Sequence, residues 1–507
     1  MINSIKFYTL VIFTMLFFNS CATNPVTGSP DFVTITEQQE ISIGASYHEK
    51  IMAENKVLED KELNDYIQKL GDEIARKSHR PDLRWTFTII DSPVFNAFAT
   101  PGGYVYMYRG MLNYFNSEAE LVGVLGHEIG HITARHAVRG MSTAQITNLL
   151  LGIIQANVPG SQLTSNAFNL LNIAINRGYG RSYELEADQL GAEYLLVNNY
   201  DPTAMAGFLK IMQQSDELER VIAESENREP NVGYHGIFST HPDSAKRIEA
   251  LKESRDGKDE LKINKDRFLK RIDGSNYGTS PEEGYVKDSV FYHPVFAIRF
   301  DIDSDWVFKN FPDRLELTKQ SDKIVMRADD LLKDDLDNGL TPQEFMKKGI
   351  RQSGFLSNNK VVNEENFSFN NLKGYTQLYK NETPLETYYR RFIVIFDTDT
   401  KDIKPKVWIT SITMRDLTND SSAKKILASF KKMTEDEVAN SQGLKIKVIR
   451  FREGMTYETL AKSSPLGKFA KEKLQLLNGH YPNGSPNLGD LIKICLLYTS
   501  PSPRDNR

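Results

Sequence analysis

The pentapeptide His127-Glu128-Ile129-Gly130-His131 combines two imidazoles and a carboxylate at a spacing suited to metal chemistry. It lies in Glu118–Arg139, where Leu121, Val122, Val124, Leu125 and Ile129 predict a single buried helix. Residues four apart on a helix differ by about 40° around its axis, so His127 and His131 share a face. Two imidazoles on one face are half of a tetrahedral zinc site. Glu128, beside the first imidazole, can act as general base on the water of such a site. Buried polar groups of this kind require partners.

A third ligand is needed. His136 follows His131 by five residues, about 140° round the same helix. Ala134 also stands where the metzincin pattern has glycine. His136 is therefore expected on the polar face or supporting the site from behind, not as a ligand. Glu184-Leu185-Glu186-Ala187-Asp188 is a better source, on another predicted helix. Glu184 and Asp188 share a face. One of them can bind zinc while the other accepts a hydrogen bond from a ligand imidazole and fixes its tautomer. Glu186 points about 160° away from each and is expected in solvent. Two histidines and one carboxylate would hold one Zn2+ per chain and leave a fourth position for water. His48, His79, His235, His293 and His480 show no ligand spacing.

The elements that must position these residues follow from periodicity. Thr36 and Gln39 form a helix capping box, and Leu63, Ile67, Leu70 and Ile74 recur at helical spacing. Trp85–Ile90 reads as a strand. Phe95–Ala99 and Tyr104–Met107 flank Thr100-Pro101-Gly102-Gly103, a hairpin signal. Further helices are expected near 143–155, 165–176, 182–197, 202–214 and 243–253. Residues 255–284, rich in Lys, Asp, Gly and Ser, read as a linker. Strand patterns return at Phe296–Ile302, Lys323–Arg327, Tyr388–Asp397 and Trp408–Arg415, around helices near 341–351 and 421–434. The fold class is α+β. The 285–437 region shows no metal cluster, nucleophile triad or phosphate loop, and is expected to bind or to scaffold.

Composition limits the function classes. The 507 residues suggest about three domains at roughly 150 residues each. Lys and Arg total 62 against 67 Asp and Glu, a net charge of −5, so no nucleic-acid partner is expected. Two cysteines exclude a disulfide scaffold and a Cys-rich zinc module. Residues 1–20 have a basic residue and a short apolar run, the form of a signal peptide. Phe18-Asn19-Ser20-Cys21 resembles a bacterial lipobox, which makes Cys21 a lipidation site at the head of a 21–35 tether. Ala22, with no acidic residue after Cys21, favours an outer-membrane anchor facing the periplasm.

Gly126–His131, followed by Arg181-Ser182-Tyr183-Glu184 and Ala187-Asp188, resembles the gluzincin family of the CAAX prenyl protease and HtpX. Two further segments resemble it: Asn96 to Gly103, and Thr240-His241-Pro242 with Arg247. The resemblance covers the 36–254 region and implies a mainly helical zincin-type metallopeptidase domain with a small sheet. It implies His127, His131 and Glu184 as zinc ligands, Glu128 as the catalytic carboxylate and Asp188 as the histidine's partner. His241 would stabilise the oxyanion or orient substrate, and Arg247 would hold Glu184. Asn96, Ala97, Phe98, Gly102 and Gly103 would border an extended substrate paired by its backbone.

The family's membrane-embedded members carry several apolar helices that this chain lacks. The resemblance is therefore to the periplasmic, BepA-like lipoprotein branch, with unfolded or misassembled envelope proteins as expected substrates and outer-membrane assembly machinery as an expected partner. The alternative is a chaperone or assembly factor with a latent zinc site. Residues 444–494, through Glu453-Gly454-Met455-Thr456, Leu476–Gly479 and Asn487–Ile494, resemble a degenerate LysM module. That adds peptidoglycan as an expected partner, or a purely structural cap. Residues 495–507, beginning Cys495-Leu496-Leu497-Tyr498, resemble a translated sequencing adaptor and are set aside from the fold.

Overall fold

The computed structural model describes residues 21–143, 180–225, 230, 260–278 and 284–497, with breaks at 288, 312–313, 353–358, 383–386, 399–403 and 442. The signal peptide, His241, Arg247, and the helices expected at 165–176 and 243–253 lie outside them, as does nearly all of that at 143–155. No helix among the described residues is long and apolar enough to cross a membrane. The chain divides into two compact units: residues up to Gly278 joined by Leu444–Leu497, and Thr279–Gly443.

In the first unit, helix α1 (Glu37–Glu54) opens with the expected capping box between Thr36 and Gln39. Helix α2 (Lys61–Ala75), capped by Asp60, buries Leu63, Ile67, Leu70 and Ile74 along one side. Strands β1 (Thr86–Ile90), β2 (Ala97–Thr100) and β3 (Tyr104–Tyr108) form a sheet in the order β1-β3-β2. β2 and β3 are the expected antiparallel hairpin, whereas β1 runs parallel to β3. The turn passes through Gly103 at φ +98°, where a Cβ would stand 2.4 Å from the Arg84 carbonyl oxygen. Only glycine fits there. Among the described residues β2 and β1 are the two edges of this sheet.

Helix α3 (Glu118–Thr133) carries the two histidines, and Ser117 caps its first turn. It packs on helix α4 (Arg181–Val197) without side chains between the backbones. A Cβ on Gly126 would lie 3.3 Å from the Gly191 Cα, and one on Gly130 would lie 3.0 Å from the Ala187 oxygen. These small residues bring the α4 carboxylates to the α3 imidazoles. Helix α5 (Thr203–Ser225) completes this side.

Two expectations are corrected here. The single helix expected over 118–139 stops at Thr133, and residues 136–143 begin a new helical stretch. Arg135 stands between them at φ +54°. Its guanidinium is held 2.9 Å from the buried Glu40 carboxylate and 3.1 Å from the Ile35 carbonyl, fixing the break.

The linker expected over 255–284 is, across its described residues 260–278, part of the first unit. Helix α6 (Lys265–Ile272) buries Phe268, Leu269 and Ile272 in the main core. The charges that suggested a linker belong to its outer face. The same segment holds the start of α3: Asn264 donates to Glu118 at 2.6 Å, and Arg267 lies 3.3 Å from it. Glu118 is fully buried and also accepts from the Tyr66 and Tyr200 hydroxyls. A carboxylate at a helix N-terminus is favoured by the helix dipole as well.

The second unit contains a seven-stranded antiparallel sheet in the spatial order Val307–Phe311, Arg314–Lys319, Asp322–Asp330, Lys406–Met414, Thr387–Asp397, Leu372–Glu382, Asn359–Phe369. The unbroken apolar run from Phe392 to Phe396 arises because the sheet is covered on both faces. Ile393 and Ile395 join the cluster of the Asp420–Ala428 helix. Val394 and Phe396 join that of Met346, from Pro342–Gln352.

The 444–497 segment returns to the first unit. Strand β4 (Leu444–Arg450) pairs antiparallel with β5 (Leu491–Leu497), and helices Tyr457–Lys462 and α7 (Ala470–Leu477) lie between them in sequence. β4 also pairs with Asn276–Tyr277. β5 runs beyond the boundary set at residue 494: Cys495 is buried opposite Ile446, where strand alternation turns a side chain inward. The Lys493 ammonium is fully buried and donates to the Asn113 and Phe115 carbonyls, each at 2.7 Å.

Candidate metal centre

His127 and His131 project from α3 with their Nε2 atoms 3.0 Å apart. The Glu184 carboxylate reaches across from α4, with Oε2 3.4 Å from His127 Nε2 and Oε1 3.6 Å from His131 Nε2. All three residues are buried. Ligand atoms about 2.0–2.2 Å from a tetrahedral ion stand roughly 3.3–3.5 Å from one another. The three separations bracket that figure, and the donor set of two imidazoles and a carboxylate suits zinc. Among the described residues this is the only group of three with metal-ligand chemistry at such spacing.

The tertiary structure separates the positions of the two carboxylates. Asp188 Oδ1 lies 2.9 Å from His127 Nδ1, on the side of the ring away from Glu184. A proton on Nδ1 shared with Asp188 leaves the Nε2 lone pair directed into the site. Glu184 alone faces both Nε2 atoms. Glu128 follows His127 on α3 and is buried, 1% exposed. Replacing Glu184 by Ala is expected to abolish zinc retention, whereas Asp188→Ala should weaken zinc binding by about 10–100-fold. Elemental analysis of the purified chain and chelator competition measure the two effects.

His136 lies behind His131, by a route that helical angles did not predict. The break at Arg135 swings its ring so that Nδ1 lies 2.8 Å from His131 Nδ1. Its Nε2 lies 3.1 Å from Glu186 Oε2. Glu186, expected in solvent, is instead tied to His136 and to Arg139, whose Nη1 is 3.0 Å away. Burial holds the His136 pKa below its usual value. The His136 hydrogen bond, with that of Arg139, holds the Glu186 carboxyl below the ordinary range. Tyr183 stacks on the His136 ring with centroids 4.4 Å apart. Glu186 and Tyr183 were the residues missed. Helical phase set Glu186 opposite Glu184, and only the broken α3 brings a partner to that side.

Asn96 precedes β2, Ala97 and Phe98 lie within it, and Gly102 and Gly103 form its turn. Ala99, Thr100 and Pro101 line a small cavity together with Glu40, His131, Ile132 and Arg135, so the C-terminal end of β2 approaches His131. His241 and Arg247 are outside the described residues.

Residues 61–255 match the family model described as Peptidase family M48. The chain is 33% identical over 194 residues to a putative beta-barrel assembly-enhancing protease of Vibrio cholerae, covering 36% of this chain and 40% of that one. It is 31% identical over 149 residues to the mitochondrial metalloendopeptidase OMA1 of Arabidopsis thaliana, covering 29% and 30%. It is 28% identical over 210 residues to the beta-barrel assembly-enhancing protease of Escherichia coli K12, covering 39% and 43%. The chain thus spans less than half the length of these relatives. The His127–His131–Glu184 centre, with Glu128 and Asp188, lies wholly within the segment that matches peptidase family M48.

Proposed function

We propose that this chain is a zinc-dependent endopeptidase that hydrolyses peptide bonds of unfolded or misassembled cell-envelope proteins. The observation that carries the reading is the buried His127–His131–Glu184 cluster with Glu128 on the same helix. Bound zinc would supply a Lewis acid and an acidified water. Glu128 removes the proton from the attacking water and returns it to the leaving amine. β2 is an edge strand of its sheet among the described residues, and that edge would suit an extended chain entering by backbone pairing, along Asn96, Ala97 and Phe98 and past the Gly102-Gly103 turn. An edge strand holds the middle of a polypeptide, which fits an endopeptidase. His241 would orient substrate or steady the oxyanion, and Arg247 would hold Glu184.

The M48 match and the beta-barrel assembly-enhancing relatives support envelope quality control, with outer-membrane assembly machinery as a partner. Cys21 would carry the lipid that anchors the protein to the outer membrane on its periplasmic side. A depression of about 360 Å³ in the 444–494 region, lined by Tyr457, Glu458, Lys471, Gln475 and Asn483, would be the place for peptidoglycan on a LysM-like module; the alternative is a purely structural cap.

Complementation of cells lacking the protein tests the reading. Wild type should restore envelope integrity, and Glu128→Gln should fail while trapping uncut substrates. Full rescue by Glu128→Gln would make the chain an assembly factor with a latent zinc site.

A further inference from the structure

The two metal-facing histidines are supported differently. Behind His127 stands a carboxylate, Asp188. Behind His131 stands a neighbouring imidazole, with Nδ1 facing Nδ1 at 2.8 Å. Two ring nitrogens at that distance share one proton, since two lone pairs or two N–H groups would repel. The geometry farther out decides who holds it. His136 Nε2 faces Glu186 Oε2 at 3.1 Å, and an ionised carboxylate only accepts. His136 therefore carries its proton on Nε2 and presents a lone pair at Nδ1. The shared proton then belongs to His131 Nδ1. His131 Nε2 is left with a lone pair that faces the lone pair of His127 Nε2 at 3.0 Å and the Glu184 carboxylate, a repulsion between the rings that the cation of the metal-centre reading would relieve.

We propose that His136 is a positioning residue: with Glu186 behind it, it holds His131 in the one tautomer whose Nε2 can bind metal. The proposal rests on the metal-centre reading above. The relay is braced on both sides. Arg139 Nη1 lies 3.0 Å from Glu186 Oε2, so the carboxylate has a counter-charge and a fixed direction. Tyr183 stacks on the His136 ring with an interplanar angle of 13°, and Arg139 lies over the Tyr183 ring at 4.7 Å. The ring can neither rotate nor slide without breaking these contacts. Tyr183 and Glu186 both come from α4, the helix that supplies Glu184 and Asp188. One helix therefore provides a ligand, the direct support of His127 and the indirect support of His131.

The test is a set of full-length variants: His136→Leu, His136→Asn and Glu186→Leu. Zinc affinity is read by chelator competition, and kcat and KM on casein at saturating zinc. A hydrogen-bond partner behind a metal-ligating histidine contributes about 10–100-fold to metal affinity. His136→Leu should lose that much. His136→Asn offers Oδ1 as an acceptor near the lost Nδ1 and should recover most of the affinity. Glu186→Leu, at a partly exposed position, should fold and bind zinc several-fold more weakly than wild type. At saturating zinc, kcat should fall in the same order with KM unchanged. A merely structural role would weaken the Leu and Asn variants at position 136 alike. That result, or zinc affinity within twofold of wild type in His136→Leu, would overturn the proposal. If wild type itself binds no zinc, the metal-centre reading fails instead, and Glu184→Ala will match wild type.

Discussion

Glu128→Gln is expected to retain zinc and to lose proteolysis, with kcat on an unfolded substrate such as casein falling by at least about 10²–10⁴-fold. Glu128 is buried on α3 directly after a ligand. The amide is nearly isosteric with the carboxylate, so packing around α3 is preserved. Neither histidine nor Glu184 is altered, so the ligand set stands. What disappears is the carboxylate proposed to take a proton from water and return it to an amine. The effect should fall on kcat, with KM little changed, because the proposed substrate contacts along β2 are untouched. Steady-state kinetics together with elemental analysis of the same preparation measure both halves. Full activity with bound zinc would refute the role assigned to Glu128.

The second large effect is on stability. Lys493→Met should destabilise the first unit by about 2–5 kcal/mol, the cost of leaving two buried carbonyls without their charged donor at about 1–3 kcal/mol each. Lys493 is fully buried in β5, and its ammonium binds two carbonyls of the loop that leads into α3. Glu120, on the first turn of α3, is the opposing charge, and its Oε2 accepts from the Asn116 amide at 2.6 Å. Burial pushes the Lys493 pKa down and the Glu120 pKa up, and each charge partly offsets the other's burial, with the Asn116 amide helping Glu120. Methionine fills the volume but leaves two carbonyls without their donor and the half-buried Glu120 without a nearby opposing charge. Urea dependence of hydrogen exchange in β4 and β5 of the full chain reads the loss. Adding Glu120→Gln should restore part of it, since the pair is coupled. No loss in Lys493→Met would show that the C-terminal strand is not locked to the α3 entry loop.

Much of the metal centre was legible in one dimension. A helical repeat of 3.6 residues puts His127 beside His131 and Glu184 beside Asp188 wherever those helices lie, because the relation is local. Capping at Thr36, the apolar face from Leu63 to Ile74 and the glycine turn after Thr100 are local in the same sense. The run from Phe392 to Phe396 predicted a strand but not its two covered faces, which depend on helices far away in sequence.

Other features follow from contacts between distant residues. The choice between Glu184 and Asp188 depends on how close α4 approaches α3, which the glycines at 126, 130 and 191 set. The role of His136 depends on Arg135 leaving helical geometry, and that is determined by Glu40, a buried charge nearly a hundred residues earlier. Residues 260–278 read as a linker because their charges outnumber their apolar groups. Folding turns the charges outward and buries Phe268, Leu269 and Ile272. Residues 444–497 read as a separate terminal segment, yet Lys493 ties them to the start of the metal-binding helix. By itself, then, the sequence determined which residues can bind metal and on which helix faces they lie, because helix phase is local. Only the tertiary structure decided which carboxylate meets the histidines, what stands behind each ring and which distant segment holds α3 in place, because burial and charge pairing act between residues far apart along the chain.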